Sequence, residues 1–166
     1  MKKFFHLSVA ILLIVTLTMC THASETITNS ESQAEEAAVN LTIDNCEMLA
    51  TILQLKNPGD PLIEQFASEN HGKVIEFDGN IAYMNNHGSY KTRYDILIYY
   101  GDYNAESMTG PNFQFRDVNV SNLHLKGENI PEYVRAGQNY HIEAEIVKYE
   151  PSSELFILNP VSMELR

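Results

Sequence analysis

Residues 73–103 read KVIEFDGNIAYMNNHGSYKTRYDILIYYGDY, and this stretch decides the fold. Apolar and polar residues alternate on both sides of the polar run 85–89, and a period of two is typical of β-strands. We therefore predict a hairpin of two long strands. Gly79 interrupts the first strand, which predicts a bend or bulge of the kind that lets a sheet curl into a barrel. Six of the nine tyrosines lie in this hairpin, so we also expect it to carry the main binding surface.

The alternation predicts a core face and a charged face for the hairpin. The residues expected to point into the core are Ile75, Phe77, Ile81 and Tyr83 on the first strand and Tyr94, Ile96, Ile98 and Tyr100 on the second. Pairing the strands about the centre of the loop sets the outward residues side by side, with Asp78, Asn80 and Ala82 beside Arg93, Asp95 and Leu97. A ligand is therefore expected on this outward face.

Two short helices are predicted before the hairpin. Asp44 followed by Glu47 indicates a capping box, with a helix that runs to about Lys56. The pair Asp60-Pro61 indicates a second helix start, because aspartate caps free N–H groups and proline suits the first helical position. The sequence Asn70-His71-Gly72 ends that helix.

Three further strands are predicted after the hairpin. The third covers residues 112–118 and loses its alternation near Arg116 and Asp117, and a long connection follows with one helical turn at 130–134. The fifth begins at residue 155 and is limited by Pro160, since proline is poorly tolerated inside a sheet. The fourth has a regular inward set, which consists of Tyr140, Ile142, Ala144 and Ile146.

These elements predict an α+β chain in which a two-helix element, residues 41–72, precedes a small five-stranded OB-like Greek-key β-barrel, residues 73–166. Residues 73–165 resemble OB-type domains of the tRNA-anti-like group in the runs KVIEFDG, residues 73–79, and RAGQNYHIEA, residues 135–144. Residues 41–165 are similar to an uncharacterised family of exported bacterial domains of unknown function. The runs that carry this second resemblance are EFDGNI (76–81), HGSYKTRYD (87–95) and GPNFQFRDV (110–118). It implies export from a bacterium and implies no activity.

The first 40 residues are organised for export. Lys2 and Lys3 precede an apolar run, which predicts a signal peptide over residues 1–23. Two processing outcomes remain open: cleavage after Ala23, or lipidation of Cys20 in a lipobox-like sequence with Met19 at an unusual position. Residues 24–40 are acidic and lack aromatic side chains, which predicts a flexible linker. The expected location is extracellular or at the cell surface as a lipoprotein.

Composition excludes some partners. The formal charge is −11, and it becomes −13 once the leader takes Lys2 and Lys3 away. Affinity for nucleic acid comes largely from basic residues that neutralise phosphates, so a nucleic-acid partner is not expected. The same charge opposes attraction to anionic lipid, which leaves a signal peptide or lipid anchor as the route to a membrane. Cys46 is then the single cysteine, so no disulfide framework is predicted, and its expected role is that of a small buried residue. No cofactor and no oligomeric state are indicated.

The candidate ligand-binding residues lie on or near the outward face of the hairpin. Arginine and lysine would donate hydrogen bonds and tyrosines would stack on an extended ligand, such as a sugar or a peptide. The candidates are His87, Tyr90, Lys91, Arg93, Asp95, Tyr99 and Arg116, with Tyr103 as a further platform. The alternative interpretation is a solvated face with cross-strand ion pairs, each contributing little stability. For His87, ordinary turn chemistry is the alternative.

No catalytic or metal-binding constellation is predicted. There is no Gly-x-Ser-x-Gly motif. His141, Glu143 and Glu145 share one face of the fourth strand, but no second cluster converges on them. Asp102, Asn104 and Glu106 have the spacing of a calcium loop without its glycine and final glutamate.

The resulting functional prediction is an exported noncatalytic binding domain for an unknown ligand at the bacterial cell envelope. A structural or assembly protein that uses the same face for a protein partner is the first alternative. The second is a metal-dependent or nuclease-like hydrolase with a phosphate-directed cluster formed by Arg93, Asp95, Arg116 and Asp117.

Overall fold

The computed structural model describes residues 39–103 and 108–166. Within them, two short helices precede a closed five-stranded mixed barrel, which confirms the predicted α+β class. The predicted signal peptide, Cys20 and nearly all of the predicted linker lie outside the described residues. The elements are α1 (Glu47–Ile52), α2 (Pro61–Glu69), β1 (Val74–Asn86), β2 (Tyr94–Tyr100), β3 (Asn112–Val118), a 3₁₀ turn (Val120–Leu123), β4 (Leu125–Lys126), β5 (Asn139–Glu150) and β6 (Leu155–Leu165).

The barrel closes through one parallel contact. β1 pairs with β2 and β5, β2 with β3, and β5 with β6, all antiparallel. The parallel pairing of residues 112–115 in β3 with residues 155–158 in β6 joins the two ends of the sheet. The two-residue strand β4 pairs in parallel with residues 163–164 of β6, further along the same edge that β3 uses. The predicted five strands therefore form the barrel, and β4 is an addition to it.

The core lies inside the barrel and under the helices. The predicted inward residues of β5 are fully buried, as are Ile96 and Ile98 on β2. Phe156 lies at the centre, with its ring centroid 5.3 Å from that of Phe113 and 6.3 Å from that of Phe66 on α2. Burial of such apolar side chains, each contributing roughly 1.5–3 kcal/mol, holds the helices on the barrel.

The predicted start of α2 is confirmed and that of α1 is wrong. Asp60 accepts a hydrogen bond from the Leu62 amide at 3.0 Å, with Pro61 at the first helical position. α1 begins after Cys46 without a side-chain cap, and Cys46 is half-buried against the core. Asp44 does not cap the helix, because Thr42 and Asn45 bond to each other in the preceding turn. α1 also ends at Ile52, short of the predicted Lys56.

The predicted register of the hairpin is wrong. β1 runs to Asn86, which pairs with Tyr94, so the loop comprises residues 87–93 and its centre lies further along the chain. Asn80 pairs with Tyr99, and Asp78 does not lie beside Arg93 or Asp95. The irregularity in β1 falls at Ala82, between Ile81 and Tyr83, where the register with β2 shifts. A bulge of one residue reverses the alternation, which is why Tyr83 is 58% exposed instead of buried.

Gly79 has a different role from the predicted bulge. It pairs regularly with Tyr100 on one side and Tyr140 on the other. A Cβ atom at this position would lie 2.9 Å from the carbonyl oxygen of Tyr99 and 3.2 Å from Cγ2 of Ile98. Glycine therefore permits β1 and β2 to approach closely at residues 79–80, where β1 pairs with β2 on one side and with β5 on the other.

Two predictions after the hairpin are wrong and one is confirmed. Residues 130–134 form no helical turn; the turn lies at Val120–Leu123, where Asn119 and Asn122 form a capping box. Pro160 does not limit β6, because it lies opposite Ala144 beside a register shift, where its missing N–H is tolerated. The irregularity predicted near Arg116 and Asp117 is present as a register shift between β2 and β3.

Candidate functional site

The loop of the β1–β2 hairpin brings four predicted site residues together. The His87 amide donates to the carbonyl of Arg93 at 2.8 Å, and the Tyr90 amide donates to that of His87 at 3.1 Å. These two bonds fold the loop so that His87, Tyr90 and Arg93 lie near Asp95 at the start of β2. We call these four residues, together with Asp117 of β3, the hairpin-tip cluster.

Asp95 organises the hairpin-tip cluster. One of its carboxylate oxygens lies 2.9 Å from Nδ1 of His87 and also accepts a hydrogen bond from the Asp117 amide at 2.9 Å. A carboxylate accepts only, so the proton of this contact belongs to Nδ1 of His87. Asp117 has a positive φ of 59°, which is uncommon for a residue with a side chain. The register shift between β2 and β3 thus sets two aspartates side by side.

Tyr90 is the exposed part of the cluster. The residue is 54% exposed, and the guanidinium carbon of Arg93 lies 5.1 Å from the centroid of its ring. The imidazole of His87 lies nearly parallel to the ring, with centroids 6.4 Å apart. Arg93 is in turn held by an ion pair with Asp117. The tip therefore presents a half-exposed tyrosine ring with Arg93 over it and His87 stacked near it, and Asp117 and Asp95 hold these two side chains.

One oxygen in the cluster is unsatisfied. Oδ1 of Asp117 is buried and has no hydrogen-bond partner within the described part of the chain. Nε2 of His87 lies 3.9 Å from it, which is too long for a hydrogen bond. Strained backbone and unsatisfied polar atoms are found preferentially at functional sites, and Asp117 combines both.

Arg116 belongs to a separate ion pair. Its guanidinium contacts both carboxylate oxygens of Glu150, at 2.9 and 2.8 Å, and its Nε donates to Gln114 at 3.0 Å. Lys148 also contacts Glu150, at 2.8 Å. The hydrogen bonds from Arg116 and Lys148 lower the pKa of Glu150 to about 2, and the bond to Glu150 raises the pKa of Arg116. Arg116 therefore serves the cross-strand ion pairing that was the alternative interpretation.

The remaining candidates do not join the hairpin-tip cluster by direct contact. Lys91 is exposed in the same loop. Tyr99 and Tyr103 lie at the other end of β2 and line a cleft of about 240 Å³ with Asn80, whose side chain donates to the Gly101 carbonyl at 2.9 Å. Tyr103 is 44% exposed.

His141 has partners that the sequence did not suggest. It lies between Glu76 and Asp78 of β1, across the pairing of β1 with β5, and not in a set with Glu143 and Glu145. Over residues 39–103 and 108–166, no group of three or more histidine, cysteine or acidic side chains has an arrangement that could hold a metal ion. Of the calcium-like spacing, Asn104 and Glu106 lie outside the described residues, while Asp102 pairs with Arg166.

Asp117 belongs to the hairpin-tip cluster but is not among the ligand-binding residues that the sequence predicts. The sequence places it on the third strand, where it could add to the outward face of the hairpin or join a phosphate-directed cluster, and the broken alternation at Arg116 and Asp117 indicates unusual backbone there. Its partner Asp95 is 22 positions away along the chain, and their contact depends on the bulged register between β2 and β3.

Comparison with known proteins yields one match. A family model described as "Domain of unknown function (DUF4839)" matches residues 44–166. No curated protein and no solved structure matches the chain. Neither α-helix in the described ranges has the length and apolar composition needed to cross a bilayer.

Proposed function

This chain belongs to the family described as a domain of unknown function (DUF4839), and we propose that it is an exported, noncatalytic binding domain of the bacterial cell envelope. The ligand would contact the hairpin-tip cluster and be an extended molecule with hydroxyl groups, such as a glycan. The observation that carries this proposal is the exposed ring of Tyr90, flanked by Arg93 and His87.

The geometry of the tip suits a sugar ring. An exposed aromatic face binds the apolar face of a ring at little entropic cost, because a tyrosine side chain has few rotatable bonds. Arg93 and the exposed Lys91 supply hydrogen-bond donors beside that face. Since Asp117 fixes Arg93 and Asp95 fixes His87 before any ligand arrives, less ordering is required on binding.

The architecture supports the same location. We infer that the barrel is of the OB type, because its first three strands form a meander and a parallel contact between the third and the last barrel strand closes it. Such barrels bind extended ligands across the second and third strands and the adjoining loops. His87, Tyr90 and Arg93 lie in the loop between the first two strands, and Asp117 lies on the third.

Binding fits the cluster better than catalysis does. His87 is oriented by a carboxylate, as a general base would be, but among the described residues no serine, threonine or cysteine side chain hydrogen-bonds to it. The arginines of the hydrolase alternative are both paired, Arg93 with Asp117 and Arg116 with Glu150. Incubation with nucleic acid and added divalent metal tests that alternative, and size-exclusion chromatography with envelope extract tests an assembly role.

Export is part of the proposal. It is supported by the positively charged and apolar start of the chain and by the acidic composition of residues 24–40. Mass spectrometry of the mature protein distinguishes the two forms, since a lipidated chain would begin at Cys20 and a released chain at Ser24.

The binding proposal is tested with the variants Tyr90→Ala and Arg93→Ala and a panel of wall glycans and peptides, measured by NMR chemical-shift perturbation. We expect Tyr90→Ala to weaken binding of the ligand found by roughly two- to tenfold, since a stacked aromatic contributes roughly 0.5–1.5 kcal/mol. Tyr133→Ala is the matched control, because Tyr133 is 70% exposed and outside the cluster.

The perturbed amides should lie in residues 87–95 and around Asp117. The proposal is contradicted if a ligand binds equally well to wild type and Tyr90→Ala while both variants keep the wild-type unfolding midpoint.

A further inference from the structure

His141 lies on the outer face of β5 and contacts carboxylates with both ring nitrogens. Nδ1 lies 2.8 Å from Oδ1 of Asp78, and Nε2 lies 3.0 Å from Oε1 of Glu76. An ionised carboxylate only accepts hydrogen bonds, and a neutral imidazole carries a single N–H. Both contacts are therefore satisfied only when His141 is protonated and Glu76 and Asp78 are ionised. We call these three residues the histidine clasp.

The groups around the histidine clasp are mostly acidic. Arg166 contacts Asp78 at 3.3 Å and Asp102 at 3.0 Å, and Lys126 contacts Glu143 at 2.6 Å. The charged groups that face the clasp from the surrounding elements are Asp44 before α1, Asp102 after β2, Lys126 on β4, Glu143 on β5, Glu164 on β6 and Arg166 after β6. Arg166 and Lys126 already pair with Asp78, Asp102 and Glu143. They therefore do not replace the positive charge that protonated His141 supplies.

The clasp borders a cleft of about 270 Å³. Its lining includes Thr42, Ile43 and Asp44 as well as the three residues of the clasp. Residues 41–44, which we call the entry segment, are attached to β1 just beside the clasp. The Leu41 amide donates to the Val74 carbonyl at 2.8 Å, and the Glu76 amide donates to the Leu41 carbonyl at 2.8 Å.

The protonation of His141 is coupled to these contacts. Burial lowers the pKa of His141, but hydrogen bonds to Asp78 and Glu76 outweigh burial, so the net pKa is raised above its ordinary value. A raised pKa in the folded state means that the clasp stabilises the fold fully below about pH 6.5, the ordinary value for histidine, and loses this effect as pH rises through the folded-state pKa.

We propose that the histidine clasp is a pH-sensitive latch, which holds the entry segment against the barrel when His141 is protonated and releases it when His141 is neutral. The neutral ring donates a hydrogen bond to one carboxylate. Its other nitrogen, which carries a lone pair and no proton, then faces the second carboxylate without a hydrogen bond. Asp44 lines the same cleft as Glu76 and Asp78. Without the positive charge of His141 these three acidic side chains repel one another, and the repulsion weakens the pairing of Leu41 with β1.

The latch is tested by amide hydrogen exchange at Leu41 and Glu76, the two amides that attach the entry segment. We expect their protection factors to fall as the pH rises above about 6.5, by roughly tenfold for each unit by which the His141 pKa is higher in the latched state than in the released state. The Gly110 amide, which donates to the Leu55 carbonyl at 2.7 Å, is the internal control and should keep its protection. In His141→Gln the protection at Leu41 and Glu76 should be low throughout and independent of pH.

The matched control variant is His71→Gln, because His71 is exposed and lies outside the clasp; it should behave as wild type. Glu76→Gln provides a second variant of nearly the same shape, in which the midpoint of the His141 NMR titration should fall. A His141 midpoint at or below about 6.5 in wild type would overturn the latch, as would the same pH dependence of Leu41 protection in wild type and His141→Gln.

Discussion

Replacing Gly79 by alanine tests how closely β1 and β2 approach each other. The new Cβ would lie 2.9 Å from the carbonyl oxygen of Tyr99, 3.1 Å from Cε2 of Phe77 and 3.2 Å from Cγ2 of Ile98. The first contact involves backbone, which a rotamer change cannot relieve, so the two strands must separate. Overpacking of this kind costs about 1–3 kcal/mol, against which alanine recovers about 0.4–1 kcal/mol by restricting the unfolded chain.

The expected net loss is therefore about 1–2 kcal/mol. For a slope of about 2 kcal/mol/M this corresponds to a fall of roughly 0.5–1 M in the urea midpoint, with the slope unchanged. Gly59→Ala is the matched control. Its Cβ would also meet a close neighbour, at 2.7 Å, but that neighbour is the end of the flexible Glu154 side chain, so we expect no loss. If Gly79→Ala unfolds at the wild-type urea concentration, the close approach of β1 and β2 is refuted.

Two further predictions concern single contacts. Arg116→Gln should reduce the difference in stability between about pH 6 and pH 2. Arg116 holds the pKa of Glu150 at about 2, and a carboxyl group whose pKa is lowered by folding stabilises the fold above its ordinary pKa of about 4.3 and loses that contribution as the pH falls. Urea unfolding at both pH values measures this difference, and an unchanged difference would contradict the prediction. Asp60→Ala should lower the free energy of unfolding by about 1 kcal/mol in the same assay, because it removes the cap on the Leu62 amide. Asp44→Ala should lower it by less. If Asp44→Ala is the more destabilising change, the capping assignment is wrong.

The parts of the fold that were predictable are those in which a single local pattern runs without interruption. β3 has the bounds that its alternation predicts, Asn112–Val118. The inward set of β5, from Tyr140 to Ile146, is fully buried as expected. Asp60 and Pro61 start α2 because both preferences act within one turn of chain. In each case the cause lies within a few residues of its effect.

The hairpin register and part of the site were not predictable, because their causes lie elsewhere in the molecule. Alanine and tyrosine are compatible with either face of a strand, so nothing local marks the bulge at Ala82 that turns Tyr83 outward. The contact of Asp95 with Asp117 depends on how β2 and β3 are paired. The sequence indicated four members of the hairpin-tip cluster as binding residues, and it could not show which arginine, Arg93 or Arg116, lies beside them.

The last strand, β6, has a consequence for aggregation. It pairs with β3, β4 and β5, and its parallel contact with β3 is the one that closes the barrel. Before β6 is in place, β3 and β5 each have an edge whose N–H and C=O groups lack a partner, and such edges are templates for pairing with other chains. A chain shortened before Leu155 would expose both edges at once. Deletions within β6 are therefore expected to cause precipitation more readily than deletions in the loop at 127–137.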